Sequence, residues 1–170
     1  MFDLETLGSD SGDIIVQIGA CYFDRDTGEI GKTFSRNMDM IESHRLGFTH
    51  SMDTVKWWLW QSKEAQKSVF EGQMTPVITA LIDFSIFCKG LDTAWSHSTF
   101  DQVLLFAYYK KLGLEIPFHY KNGSDLRTIT KLVKIDLKTR ERKGVHHNGV
   151  DDCIFQVGYT VECLKALNQK

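Results

Sequence analysis

Between Ile14 and Phe23 the chain alternates without a single charge: Ile14, Val16, Ile18, Ala20 and Tyr22 against Ile15, Gln17, Gly19, Cys21 and Phe23. Successive strand residues point to opposite faces, and here both faces are largely apolar. A strand of this kind must be covered on both sides, which favours a layered α/β fold over a sheet with one wet face. Asp26-Thr27-Gly28 is a turn signal, and Ile30 to Arg36 reads as the return strand of a hairpin. Upstream, Phe2 to Thr6 reads as a short first strand before a Gly-Ser-Asp loop.

Past the hairpin the period changes. Met52 to Trp60 has helical character, with Ser51 or Asp53 as cap. A second helix is expected over Lys63 to Phe70. Pro76 stands near the start of a third, where proline is tolerated, and Val77, Leu81, Phe84 and Cys88 follow at helical spacing. Thr93 to Ser96 reads as a brief strand. Phe100 to Leu112 reads as a helix with Leu104, Leu105, Tyr108 and Leu112 inward. Pro117 to Lys121 is read as the last strand, and Asp125 as the cap of a helix to about Val133. Lys134 to Val145 is polar, basic and aperiodic. Val150, Ile154, Val157, Val161, Leu164 and Leu167 mark a final amphipathic helix. The pattern predicts an α/β fold with a mixed five-stranded sheet flanked by helices.

Residues 1–170 are read as one domain. A net charge of −2 argues against coating duplex nucleic acid by charge alone, without excluding a local basic track. Cys21, Cys88, Cys153 and Cys163 form no C-x-x-C pair and no zinc spacing with histidine. Buried reduced thiols in a reducing cytoplasm are the expectation. No apolar run approaches the ~20 residues of a membrane helix, and no signal peptide is expected.

The chemistry concentrates in three places. Asp3 and Glu5, at i and i+2 of the first strand, share one face about 6.5 Å apart along the chain. Carboxylates so placed repel unless a cation lies among them, and hard oxygen ligands suit Mg²⁺ or Mn²⁺. Asp101 starts a helix just after a strand. Asp152 lies in the first turn of the last helix, where the dipole favours an anion. His147 stands five residues earlier, with an ordinary pKa of about 6.5 suited to a general base. Asp151 is the rival of Asp152 but points about 100° away round the helix. Two cations about 3.5–4 Å apart, one beside an attacking water and one beside a leaving oxygen, are how such carboxylate sets cleave phosphodiesters. Each residue alone has an ordinary structural role. It is their joint order along the chain that points to a nuclease.

Phe2-Asp3-Leu4-Glu5-Thr6, His97-Ser98-Thr99-Phe100-Asp101 and His147-Asn148-Gly149-Val150-Asp151-Asp152 resemble the three motifs of the DnaQ-like 3′→5′ exonucleases, the four-acid-plus-histidine superfamily. The resemblance spans nearly the whole chain, and Asp125-Leu126-Arg127-Thr128-Ile129 adds a segment between the second and third motifs. Val55-Lys56-Trp57-Trp58 with Gln61 is similar to the compact phage and bacterial branch, which includes phage exodeoxyribonuclease A-type enzymes and mycobacterial-type exoribonucleases. The resemblance implies an RNase H-like fold and two Mg²⁺ (or Mn²⁺). Asp3, Glu5 and Asp152 would hold the first, and Asp3 the second with Asp101 nearby. It implies His147 as base, since Asn148 stands where a tyrosine subclass would carry its own. It also implies a single-stranded DNA or RNA 3′ end as substrate, with DNA slightly favoured. A homodimer is an option, and the expected location is the cytoplasm of a bacterial or phage-infected cell. Gly149 and Cys153 stand where the family often has alanine. Family members enter the first strand with more residues than Met1 and Phe2, so a truncated first strand is expected, with weakened stability or metal affinity.

Other residues are placed around the substrate. Thr6, Leu7 and Gly8 are expected to border the terminal nucleotide by family analogy. Trp57, Trp58 and Trp60 cannot all be equally buried on one helix, so at least one is free to line a groove. Trp58 and Phe100 are the stacking candidates. Lys131, Lys134, Lys138, Arg140, Arg142 and Lys143 form either a solvated basic loop or a phosphate clamp, with Arg140, Arg142 and Lys143 as the clamp residues. His146 is read as a bystander. Two other readings remain: a catalytically silent nucleic-acid-binding domain of the same fold, and an RNase H-like endonuclease.

Overall fold

The computed structural model describes residues 1–138 and 140–168. Three strands, β1 (Phe2–Thr6), β2 (Ile15–Phe23) and β3 (Ile30–Asn37), form an antiparallel sheet in that order. The register sets Asp3 opposite Gly19 and Glu5 opposite Gln17. Phe2 and Leu4 point into the larger core with Ile18, Leu81, Phe84 and Leu104. Pleating then sends Asp3 and Glu5 to the other face.

Four helices follow: α1 (Met40–Arg45), α2 (Met52–Trp58), α3 (Lys63–Phe70) and α4 (Val77–Phe87). Ser51 and Ser62 cap α2 and α3 through their side chains. The first of the four was not expected from the sequence. Its signal is Asp39-x-x-Glu42: Asp39 accepts from the Ile41 and Glu42 amides, while Glu42 accepts from the Val77 amide at 2.8 Å instead of closing a capping box.

β4 (Ala94–Ser96) then leads into α5 (Asp101–Lys111), and β5 (Gly123–Asp125) into α6 (Leu126–Val133), capped by Asp125. The long helix α7 (Gly149–Asn168) packs across β1, β2 and β3. Helix α5 packs on β1 and helix α4 on β3, and β2 is buried from Ile15 to Cys21. The two-sided covering read from its sequence is therefore present.

The expected five-stranded sheet is not. Among the described residues the strands form a three-stranded sheet and a separate parallel pair, β4–β5. β4 lies against β1 without a ladder. Between them the Asp101 carboxyl accepts from the backbone of His97, at 2.7 Å, and of Leu4. A side chain thus occupies a backbone donor that strand pairing would otherwise use. The last strand is also displaced from its expected place at Pro117 to Lys121. Phe118 turns inward against Phe2 and Phe106, and residues Tyr120–Asn122 form a 3₁₀ turn. His119 caps this turn, its ring accepting from the Lys121 amide at 3.2 Å while its carbonyl accepts from the Asn122 amide.

The seat of α7 on the sheet is made by two glycines. A Cβ on Gly19 would lie 2.1 Å from the Gly149 carbonyl carbon, and one on Gly149 would lie 2.9 Å from the Gly19 Cα and nitrogen. Neither position has room for a side chain. Gln17 completes the joint, accepting from the Gly149 amide at 2.7 Å and donating to Asn37 at 2.6 Å. Cys153, fully buried, donates its thiol to the Gly19 carbonyl. No helix of the described residues is long and apolar enough to cross a membrane.

Candidate active site

Docking α7 on β1 brings the acids together. One oxygen each from Asp3, Glu5 and Asp152 lies within 4.8 Å of the other two. All three residues are buried, at 8%, 6% and 7% exposure. Asp101, 1% exposed, lies close enough to raise the charge cost at Glu5 and to be raised by Asp3, but is tied to the backbone. It is outside the tight triad. His147 closes the open side, with Nδ1 4.0 Å from Glu5 Oε2. Its backbone has φ 63°, the left-handed region that a non-glycine residue adopts at a cost. Its ring meets Trp57 edge-on at 4.7 Å and Trp58 at 5.9 Å.

The charges are mutually incompatible without a cation. Burial, then the Asp152 charge, pushes Asp3 up to about 7, with the Gln156 hydrogen bond opposing. Burial, then the charges of Asp3, Asp152 and Asp101, pushes Glu5 up to about 10. Asp101 is raised well above the usual carboxylate range, by burial first and then by Asp3. Burial raises Asp152, while the Arg142 guanidinium pulls it back. His147 is driven down to about 4 by burial, His146 and Arg142. The imidazole is therefore neutral at neutral pH, with a free lone pair. The triad offers oxygen donors only, which is the chemistry of Mg²⁺ and Mn²⁺. Gln156 Oε1, beside Asp3, is buried with no partner among the described residues. The donor set fits divalent cations.

The family model for the Rv2179c-like 3′-5′ exoribonuclease domain matches residues 1–164. The chain belongs to that family. It is accordingly a 3′-5′ exoribonuclease, a phosphodiester hydrolase. A comparison with curated proteins finds no match. The family description names RNA, and the lean toward DNA gains no support from it.

Within this exoribonuclease frame the remaining expected residues fall into two groups. Thr6 and Leu7 adjoin the acids: Thr6 donates its hydroxyl to the Gly8 carbonyl at 2.7 Å. Leu7 lines an apolar hollow of about 430 Å³ with Ile14, Met40, Val55, Trp58 and Phe70. Phe100 is half-buried against the main core. Trp58 does not offer a stacking face. It is 3% exposed, and its indole N–H donates to the Thr6 carbonyl at 2.8 Å. Trp57 and Trp60 are the exposed pair, at 40% and 76%.

The clamp is only partly in place. Arg142 is paired with Asp152 and stacks on Phe155 at 4.3 Å, and Arg140 is paired with Glu162. Lys143, Lys131, Lys134 and Lys138 face solvent. The acids of α7 take the two arginines because they stand on the face toward this loop.

Gln156 was missed by sequence reasoning. Its Nε2 donates to Asp3 Oδ1 at 2.7 Å. The signal was available: Gln156 stands four residues after Asp152, on the same face of a helix. Gln17 was read only as part of an apolar strand, and its role at the Gly149 amide has no local signature.

Proposed function

We propose that the protein removes nucleotides one at a time from the 3′ end of single-stranded RNA and releases 5′-mononucleotides. In this reading Asp3, Glu5, Asp101 and Asp152 surround two Mg²⁺ or Mn²⁺ ions, and His147 takes a proton from water. The observation that carries it is the triad within 4.8 Å with a neutral imidazole 4.0 Å from Glu5.

Bound cations would supply positive charge against the phosphate and make a water more acidic. The chain's own residues do the rest. Trp57 and Trp58 wall His147 and hold its ring toward the acids. Gln156 holds one oxygen of Asp3 and so fixes where the other points. Arg142, beside Asp152, supplies the positive charge nearest a phosphate seated there. The hollow beside Leu7 suits the terminal base, being apolar and adjoining the Thr6–Leu7 turn. Acids less than a tenth exposed suit a frayed strand end better than a duplex.

The test uses 5′-labelled RNA and DNA of one sequence with Mg²⁺, Mn²⁺ or EDTA, and Asp152→Asn and His147→Ala variants alongside. A ladder shortening from the 3′ end is expected, faster on RNA and abolished by EDTA and by Asp152→Asn. His147→Ala should lose about 10²–10⁴-fold in turnover. Faster loss of DNA would reverse the substrate assignment. Cuts within a circular single strand would replace the exonuclease by an endonuclease.

A further inference from the structure

His146 has no part in the hydrolysis just described, yet its position is unusual. It is exposed, and its ring stacks on His147 with centroids 3.8 Å apart and planes 20° from parallel. One donor atom each from His146, His147 and Asp152 lies within 4.8 Å of the other two. This second triad shares Asp152 with the first and differs from it in chemistry: two imidazole nitrogens and one carboxylate oxygen, against three carboxylate oxygens.

We propose that His146, His147 and Asp152 form an inhibitory site for a borderline-soft divalent cation, Zn²⁺, at the mouth of the active site. The inference rests on the catalytic reading for its inhibitory consequence, not for the site itself.

Two nitrogens and one oxygen are a zinc donor set, with a fourth position left for water. Mg²⁺ takes oxygen ligands and keeps its waters, so it has no preference for this triad. At a nitrogen-containing site zinc binds more tightly than the hard cations. Tetrahedral zinc with bonds of about 2.0–2.1 Å needs its donors about 3.4 Å apart. The donor atoms close by little more than an ångström, and the His146 ring leaves its stack on His147 and turns so that both in-plane lone pairs meet the ion. His146 can make that movement because its side chain is exposed, whereas His147 is held by the two tryptophans. Arg142 now pairs with Asp152 and is the cation that zinc displaces.

Occupancy blocks catalysis in two ways. It takes the lone pair of His147 that would accept the proton. It also draws Asp152 away from Asp3 and Glu5. An ion at the mouth thus stops the reaction without entering the carboxylate triad.

Two measurements test this. First, Zn²⁺ is titrated into Mg²⁺-dependent RNA hydrolysis by the wild type and by His146→Ala. Loss of a direct ligand should raise the half-inhibiting zinc concentration by at least the about 10–100-fold seen for lost outer-shell partners. Turnover in Mg²⁺ alone should change far less than the zinc sensitivity, since losing His146 only relieves part of the depression it places on His147. Second, Zn²⁺ is added to histidine-labelled protein and the imidazole resonances are followed. Those of His146 and His147 should shift together at one equivalent, while His44, His50, His97 and His119 do not. Arg142→Ala should strengthen the binding by removing the competing cation.

Equal zinc inhibition of wild type and His146→Ala would overturn the proposal. So would shifts at His147 without His146, which would place zinc among the carboxylates. A protein inactive on every oligonucleotide would fail the catalytic reading, and the resonances would still decide the zinc site.

Discussion

Glu5 makes the metal-free protein sensitive to alkali, and the effect is isolated by one substitution. In the folded chain its carboxyl is pushed up to about 10 by burial and by the charges of Asp3, Asp152 and Asp101. An unfolded glutamate ionises near 4.3. Between these values the folded state holds a proton that the unfolded state has lost, so stability falls as pH rises. Asp3, raised to about 7, acts in the same direction at lower pH. His97 and His147, both lowered to about 4, act oppositely up to about pH 6.5. Asp3, Asp101 and the two histidines are present in both proteins, so the difference between wild type and Glu5→Gln isolates the Glu5 proton. One retained proton costs about 1.4 kcal/mol per pH unit. Chemical denaturation in EDTA at pH 7.0, 7.5 and 8.0 should show the wild type losing about 1.4 kcal/mol over this range relative to Glu5→Gln, which has no proton to lose. For a chain of this length that is about 3–6 °C in Tm. Saturating Mg²⁺ should abolish the slope in the wild type, because cation binding expels the proton. Parallel stability curves for wild type and Glu5→Gln in EDTA would refute the account of the buried, cation-hungry cluster.

Gly149→Ala should destabilise by about 1–3 kcal/mol, since its Cβ would meet the backbone of Gly19 at 2.9 Å; denaturant midpoints measure this. Gln156→Leu should raise the Mg²⁺ concentration for half-maximal activity about 10–100-fold by freeing Asp3, with secondary structure unchanged by circular dichroism. Trp58→Phe leaves the Thr6 carbonyl without its indole donor and should cost about 1–3 kcal/mol in thermal stability.

The clustering of Asp3, Glu5, Asp152 and His147 was legible because each motif is local. Asp3-x-Glu5 is fixed by strand alternation and His147-x4-Asp152 by a helix start, and the structure brings Asp3, Glu5, Asp152 and His147 together. Strands β2 and β3 and most helices were legible from periodicity. What the sequence concealed depends on distant partners. Whether β4 pairs with β1 turns on where the Asp101 carboxyl goes. Whether Trp57 or Trp58 is buried turns on which indole reaches the Thr6 carbonyl. The arginines read as a clamp are engaged by acids on α7, a pairing visible only after the helix docks.

Asp3 and Gln156 touch across 153 residues of sequence, and the joint that carries Asp152 and His147 is a contact between two glycines with no side chains to tolerate misfit. A chain emerging from the ribosome therefore exposes Asp3, Glu5 and Asp101 long before it owns His147 or Asp152. Until α7 is made and seated, the nascent polypeptide lacks the proposed centre, and with it the means to attack the message encoding it.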